Sequence, residues 1–154
     1  MRIAEKVKGE IEIARALLVT KDFRILVLTR SNRFDRAAPS DLPGGKIEKN
    51  ETAKKAVARE IMEETGLVVS EKKLIDFGRF TYATKNQRVG ETLFCLLLER
   101  VIEHCEITLD AREHQSFKFC DLELLREERL HPQLLFEIMK RKKKIYRLRE
   151  TRSI

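Results

Sequence analysis

The segment Gly45 to Leu67, GKIEKNETAKKAVAREIMEETGL, constrains this chain more than any other stretch. It sets Glu60, Glu63 and Glu64 within five residues, after a Pro43-Gly44-Gly45 turn. A helix advances about 100° per residue, so with Glu60 at zero, Glu64 falls at about +40° and Glu63 at about −60°. On the same scale Ala53, Val57 and Ile61 fall at about +20°, +60° and +100°. The acidic face therefore overlaps the apolar stripe that must meet a core.

An ordinary surface charge cluster points away from the core and carries Lys or Arg at four-residue spacing. Here only Glu63 has such a neighbour, Arg59. Glu60 has Ala56 and Glu64, and Glu64 has Glu60 and Val68. Like charges at this spacing repel. The simplest candidate for the missing positive charge is a divalent cation, and the plainer alternative is a salt-rich surface helix. Carboxylates with no His or Cys beside them suit Mg²⁺, or Mn²⁺, better than zinc. Mg²⁺ also takes phosphate oxygens from a substrate, so a carboxylate helix behind a glycine turn can hold a polyphosphate through metal.

The 154 residues are 42% hydrophobic and 37% charged, which predicts one globular domain over 1–154 rather than a disordered chain. The apolar run Leu93 to Leu98 is too short to span a bilayer, and MRIAEKVKGE lacks the apolar core of a signal peptide. Cys95, Cys105 and Cys120 have no paired spacing and read as reduced thiols, so a cytoplasmic protein is expected. The net charge of +7 suits polyanionic ligands. Much of it lies in a basic helix or tail from about 132, through Lys140-Arg141-Lys142-Lys143-Lys144. Without interleaved aromatics this run reads as a solvated face, so a nucleic-acid partner is not favoured.

Ile11 to Thr20 and Phe23 to Thr29 read as a hairpin, the second strand central because both its faces are apolar. Ser31 to Asp41 reads as a loop and Leu42-Pro43-Gly44-Gly45 as a breaker. Asn50 is expected to cap the acidic helix with Glu51 in its first turn, and Gly66 to end it. Leu74 to Thr84 and Glu91 to Glu99 read as an antiparallel pair, and Ser116 to Cys120 as a strand followed by a brief helix capped by Asp121. Pro132 opens one final helix bearing Leu134, Leu135, Ile138, Met139 and Ile145 on one side. These elements predict an α/β or α+β sandwich, with strand order open.

The segment resembles the Nudix box: Gly, five residues, Glu, seven residues, then Arg-Glu-aliphatic-any-Glu-Glu-any-Gly-aliphatic. Gly45, Glu51, Arg59, Glu60, Ile61, Glu63, Glu64, Gly66 and Leu67 match it without departure. The resemblance implies the Nudix fold, a mixed β-sheet between helices. It also implies hydrolysis of a nucleoside diphosphate linked to another group. It casts Glu60, Glu63, Glu64 and the Gly45 carbonyl as metal ligands, with Glu51 and Arg59 as structural residues behind them. The base is left open between Glu60, Glu64 and Glu113. Glu113 resembles the extra glutamate that many relatives carry outside the box, although Phe119 stands where relatives often have Trp. His114 reads as a loop or pocket residue.

For substrate contact, Arg15, Arg30, Arg33 and Lys46 are available for phosphates, and the rings of Phe34, Phe80, Tyr82 and Phe94 for a base. A packing role is the alternative for each. The preferred expectation is a MutT-like, Mg²⁺-dependent pyrophosphohydrolase of nucleoside triphosphates. A dinucleoside polyphosphate hydrolase, an RNA-cap or 5′-end pyrophosphohydrolase and a nucleotide-sensing domain remain alternatives. ADP-ribose hydrolysis is less favoured, for want of the proline marking that branch. The expected partner is a small nucleotide and not a membrane, with a homodimer left open.

Overall fold

Two Ile/Leu/Val-rich strands, Glu10–Val19 (β1) and Arg24–Arg30 (β2), form the expected hairpin, closed where the Thr20 amide donates to the Arg24 carbonyl at 2.9 Å. The computed structural model describes residues 9–31 and 39–152. Within the hairpin only Val19 and Ile25 stay in register before the strands part. β1 continues alongside Arg88–Leu97 (β6) in parallel, and β6 pairs antiparallel with Ile75–Ala83 (β5). β2 pairs antiparallel with the two-residue Ser40–Asp41 (β3) and with His114–Asp121 (β7). The gap where β1 leaves β2 receives Gly44–Lys46 (β4), antiparallel to β1 with Ala14 opposite Gly45. This is a seven-stranded mixed sheet, as expected.

Side chains alternate across a strand. Leu17 and Val19 of β1 join Leu93, Cys95 and Leu97 of β6 in one core. That core is closed by Leu134 and Ile138 of Pro132–Lys140 (α2) and Ile145 of Lys142–Arg152 (α3). Ala14, Ala16 and Leu18 face the other way, under Ala56, Val57 and Ile61 of Ala53–Thr65 (α1). The sheet is therefore covered by helices on both faces.

Several local expectations are corrected. Thr52 caps α1, its hydroxyl accepting the Lys55 amide at 3.2 Å, while Asn50 takes a left-handed turn with φ 66°. Glu51 thus precedes the helix and is free to meet Arg59. The final helix is broken at Arg141, whose side chain turns back to donate to the Phe77 and Glu137 carbonyls, both at 2.7 Å. Asp121 precedes a short 3₁₀ segment, Leu122–Glu127, without a side-chain cap. Gly66 ends α1 in the left-handed conformation at φ 78°, a geometry that favours glycine. Cys95, Cys105 and Cys120 form no disulfide among the described residues. Among the described residues no helix is long and apolar enough to cross a membrane.

Candidate active site

Gly44 and Gly45, beside Arg15 of β1 and Glu64 of α1, line a cleft. Two close approaches explain the glycines. A Cβ on Gly44, at φ 152°, would lie 2.1 Å from the Ala14 carbonyl oxygen, and one on Gly45 would lie 2.6 Å from the Glu60 carboxylate. Gly44 also donates its amide to Glu64 Oε2 at 3.2 Å, so it does more than turn the chain.

Arg59 ties the segment before α1 to the helix. Its Nε and Nη2 donate to both oxygens of Glu51 at 2.8 and 3.0 Å, Nη2 reaches the Lys46 carbonyl at 3.1 Å, and Nη1 reaches Glu60 at 2.9 Å and Glu63 at 3.2 Å. The forked guanidinium suits this bidentate role. It holds Glu51 far down, to about 2. The idea that Glu60 lacks any positive neighbour is corrected here: Arg59 reaches the adjacent residue as well as Glu63, which four-residue spacing does not count.

Glu64 is different. It is buried at 4% exposure, and burial, with Glu60 and Asp41 adding repulsion, pushes its carboxyl up to about 9 despite the Gly44 amide. Glu113, from the loop before β7, and buried His114, at its start, approach it. Glu64, Glu113 and His114 each offer a ligand atom within 4.8 Å of the others. Glu113 is also pushed up, by partial burial and then by Glu60, Asp110 and Glu63. His114 Nδ1 has no hydrogen-bond partner among the described residues. Carboxylates held against their own repulsion, with an orphaned imidazole nitrogen beside them, fit a divalent cation. The sequence-based view that no His stands near the acids is corrected, because the fold brings His114 from fifty residues beyond Glu64. Glu60 and Glu63 lie outside this group, turned toward Arg59.

Around these acids is a cavity of about 270 Å³, reached by Arg15, Arg30, Asp41, Lys46 and Gly45. A second recess of about 210 Å³ shares Ile13, Arg15, Arg30 and Asp41 with it and extends to Tyr82, His131 and Leu134. Arg15 is buried, its Nη1 2.9 Å from Asp41 and its Nε 3.2 Å from Glu91. Burial opposes its charge, but the two carboxylates more than offset that. Arg30 pairs with Asp41 at 2.7 Å. Lys46 is exposed at the cavity rim. Tyr82 lies half-buried against His131, ring centroids 4.5 Å apart, whereas Phe80 and Phe94 are buried in the two cores. Arg33 and Phe34 lie outside the described residues.

Asp41, Glu91 and His131 escaped the sequence reading. The signal for Glu91 was a lone acid opening an apolar strand, uninformative until the parallel register of β1 and β6 sets it beside Arg15.

The chain is similar to several known proteins. An ADP-ribose pyrophosphatase of Methanocaldococcus jannaschii is 31% identical over 105 residues, 68% of this chain and 60% of that protein. The CTP pyrophosphohydrolase of Escherichia coli is 29% identical over 108 residues, 70% of this chain and 74% of that one. The crystal structure of a MutT protein from Methanosarcina mazei Go1 superposes with a TM-score of 0.75 at 26% identity, covering 91% of this chain and 96% of that chain. The chain thus spans less than two thirds of the Methanocaldococcus relative's length. The NUDIX domain family matches residues 11–143, and with the acidic helix, glycine turn and mixed sheet in place, the chain belongs to the Nudix family.

Proposed function

We propose that this chain is a Mg²⁺-dependent pyrophosphohydrolase of nucleoside triphosphates. The observation that carries this reading is that the two cavities share Ile13, Arg15, Arg30 and Asp41 in their linings. The acids Glu64 and Glu113 stand in one, the rings of Tyr82 and His131 stand in the other, and Arg15 and Arg30 line both. A ligand with a polyphosphate at one end and a planar base at the other matches that sequence of surfaces.

In this reading Glu60, Glu63, Glu64 and the Gly45 carbonyl hold the cation, with Glu113 and His114 beside them. When bound, the cation neutralises phosphate oxygens and activates the attacking water. Arg59 and Glu51 set the positions of Glu60 and Glu63. Lys46 and Arg30 meet phosphate charge at the cavity rim. Glu113, exposed to solvent and raised above the usual carboxylate range, is placed to accept the proton of the attacking water. Glu60 and Glu64, as ligands, serve that role less well.

The basic run supports a small nucleotide over RNA. Lys142 pairs with Glu123 at 2.5 Å, Arg141 binds the Phe77 carbonyl, and Lys144 lies over the Phe77 ring at 4.7 Å, so much of this charge packs α2 and α3.

The test is a panel of nucleoside triphosphates, dinucleoside polyphosphates, ADP-ribose, nucleotide sugars and capped RNA, with products identified by mass. Mg²⁺-dependent release of pyrophosphate or a nucleoside monophosphate from a triphosphate is expected. Glu63→Gln and Glu64→Gln should each lower kcat by orders of magnitude in a folded protein. Normal turnover by both variants would remove the metal assignment.

A further inference from the structure

Glu91 is 1% exposed, yet it lines the recess beside Tyr82 and His131. Its two oxygens differ. Oε1 accepts from Arg15 Nε and from the Tyr82 hydroxyl, both at 3.2 Å. Oε2 is buried and has no partner among the described residues. Buried polar atoms are nearly always paired, and leaving one unpaired is costly. Nothing proposed for the metal or the phosphates uses this atom.

The neighbouring acid has no such vacancy. Asp41 Oδ1 accepts the Leu42 amide at 2.8 Å, and Oδ2 meets Arg30 at 2.7 Å and Arg15 at 2.9 Å. Burial pushes the Glu91 carboxyl up, and the Arg15 guanidinium beside it opposes that shift. Glu91 lines the recess together with the apolar side chains of Ile13, Val89 and Leu134 and the ring of Tyr82, and as a carboxylate its Oε2 is an acceptor only.

We propose that Glu91 selects the nucleobase, Oε2 accepting a hydrogen bond from the exocyclic amino group of a base seated in this recess. The inference rests on the nucleotide reading given above and narrows its substrate class to amino-bearing bases. Cytosine, adenine and guanine carry such a group. Uracil places a carbonyl oxygen where cytosine has its amine, and hypoxanthine lacks the amine of guanine. An oxygen facing Oε2 meets repulsion, and a missing donor leaves Oε2 buried and unpaired. Sites built around a polar contact reject analogues lacking it more strongly than apolar pockets reject a lost methylene.

Glu91→Gln sharpens the test because its orientation is dictated. Arg15 and Tyr82 both donate, so the amide oxygen must take the Oε1 position and the amide nitrogen must take that of Oε2. The acceptor at the recess becomes a donor.

The experiment measures kcat/KM of the full chain for the pairs CTP/UTP and GTP/ITP. Calorimetry with Mg²⁺ measures binding of CMP/UMP and GMP/IMP by the same proteins. The wild type should prefer the amino-bearing member by about tenfold or more. Glu91→Gln should erase or reverse that preference at an unchanged melting temperature. Equal handling of both members by the wild type overturns the inference, as does an unaltered ratio in Glu91→Gln. If Glu91→Gln does not fold, the wild-type ratios alone decide. Turnover without discrimination removes the role of Glu91 and leaves the hydrolase reading standing. Discriminating binding without turnover of any nucleotide does the reverse.

Discussion

The carboxylate of Glu60 fills the space that a side chain on Gly45 would need, its Cδ and Oε1 2.6 Å from the position of a Cβ there. Gly44 is barred from a side chain by something less yielding, the backbone of β1 at 2.1 Å. These two adjacent glycines are therefore required for different reasons, and their substitutions should separate.

In Gly45→Ala the obstacle is the end of a flexible side chain, which can swing away. The variant should fold with a melting temperature close to wild type, but Glu60 is displaced from the turn, and Mg²⁺ affinity should fall about tenfold or more, as a misplaced ligand costs at least that. Gly44→Ala meets main chain and a φ that L-residues rarely adopt, and should lose about 3 kcal/mol or more of stability. Thermal melts with Mg²⁺ titration distinguish the two. A Gly45→Ala protein with normal Mg²⁺ affinity contradicts the assigned geometry.

Glu64 makes stability depend on pH in an unusual direction. Its carboxyl is raised in the folded protein to about 9, whereas in the unfolded chain it titrates at its ordinary 4.5. A raised acid contributes stability that is complete below the unfolded value and is lost as pH climbs to the folded one. With a chelator present, the melting temperature should therefore fall between about pH 5 and pH 9. Mg²⁺ should restore it by neutralising the carboxylate. Glu64→Gln should flatten the pH slope and remove the Mg²⁺ effect. A chelated wild type whose stability rises over this range contradicts the burial of Glu64 as a cause.

Arg15 is held between Asp41 and Glu91 in the interior, 2.9 and 3.2 Å from their oxygens. Arg15→Met removes the cation and leaves Glu91 with the Tyr82 hydroxyl alone. Breaking a buried pair by removing one partner costs about 3–5 kcal/mol. Urea unfolding should register a loss of that order, and adding Glu91→Met should recover part of it, since the stranded charge is then gone. A loss no larger than that of an exposed ion pair would mean the cluster is solvated.

The acidic helix, its terminator and most strands were legible along the chain. Gly66 stands out because a left-handed stop favours glycine, β1 and β2 because they are rich in Ile, Leu and Val, and β6 because Leu93 to Leu98 is an unbroken apolar run. The cap was misplaced by two residues because Asn50 and Thr52 are both good capping types, and only the turn before α1 decided between them. The break at Arg141 was invisible because its cause lies in the carbonyl of Phe77, sixty-four residues away.

What the sequence determined by itself was the acidic face of α1, since helical periodicity puts Glu60 and Glu64 on nearly one bearing whatever the rest of the chain does. Tertiary structure alone decided what surrounds them. Glu113 and His114 reach Glu64 because β7 pairs with β2, and Arg15 meets Glu91 across seventy-six residues because β1 and β6 run parallel. Local spacing encodes geometry within one element. Contacts between elements depend on sheet register, which is set when the apolar faces of the strands are buried against a core.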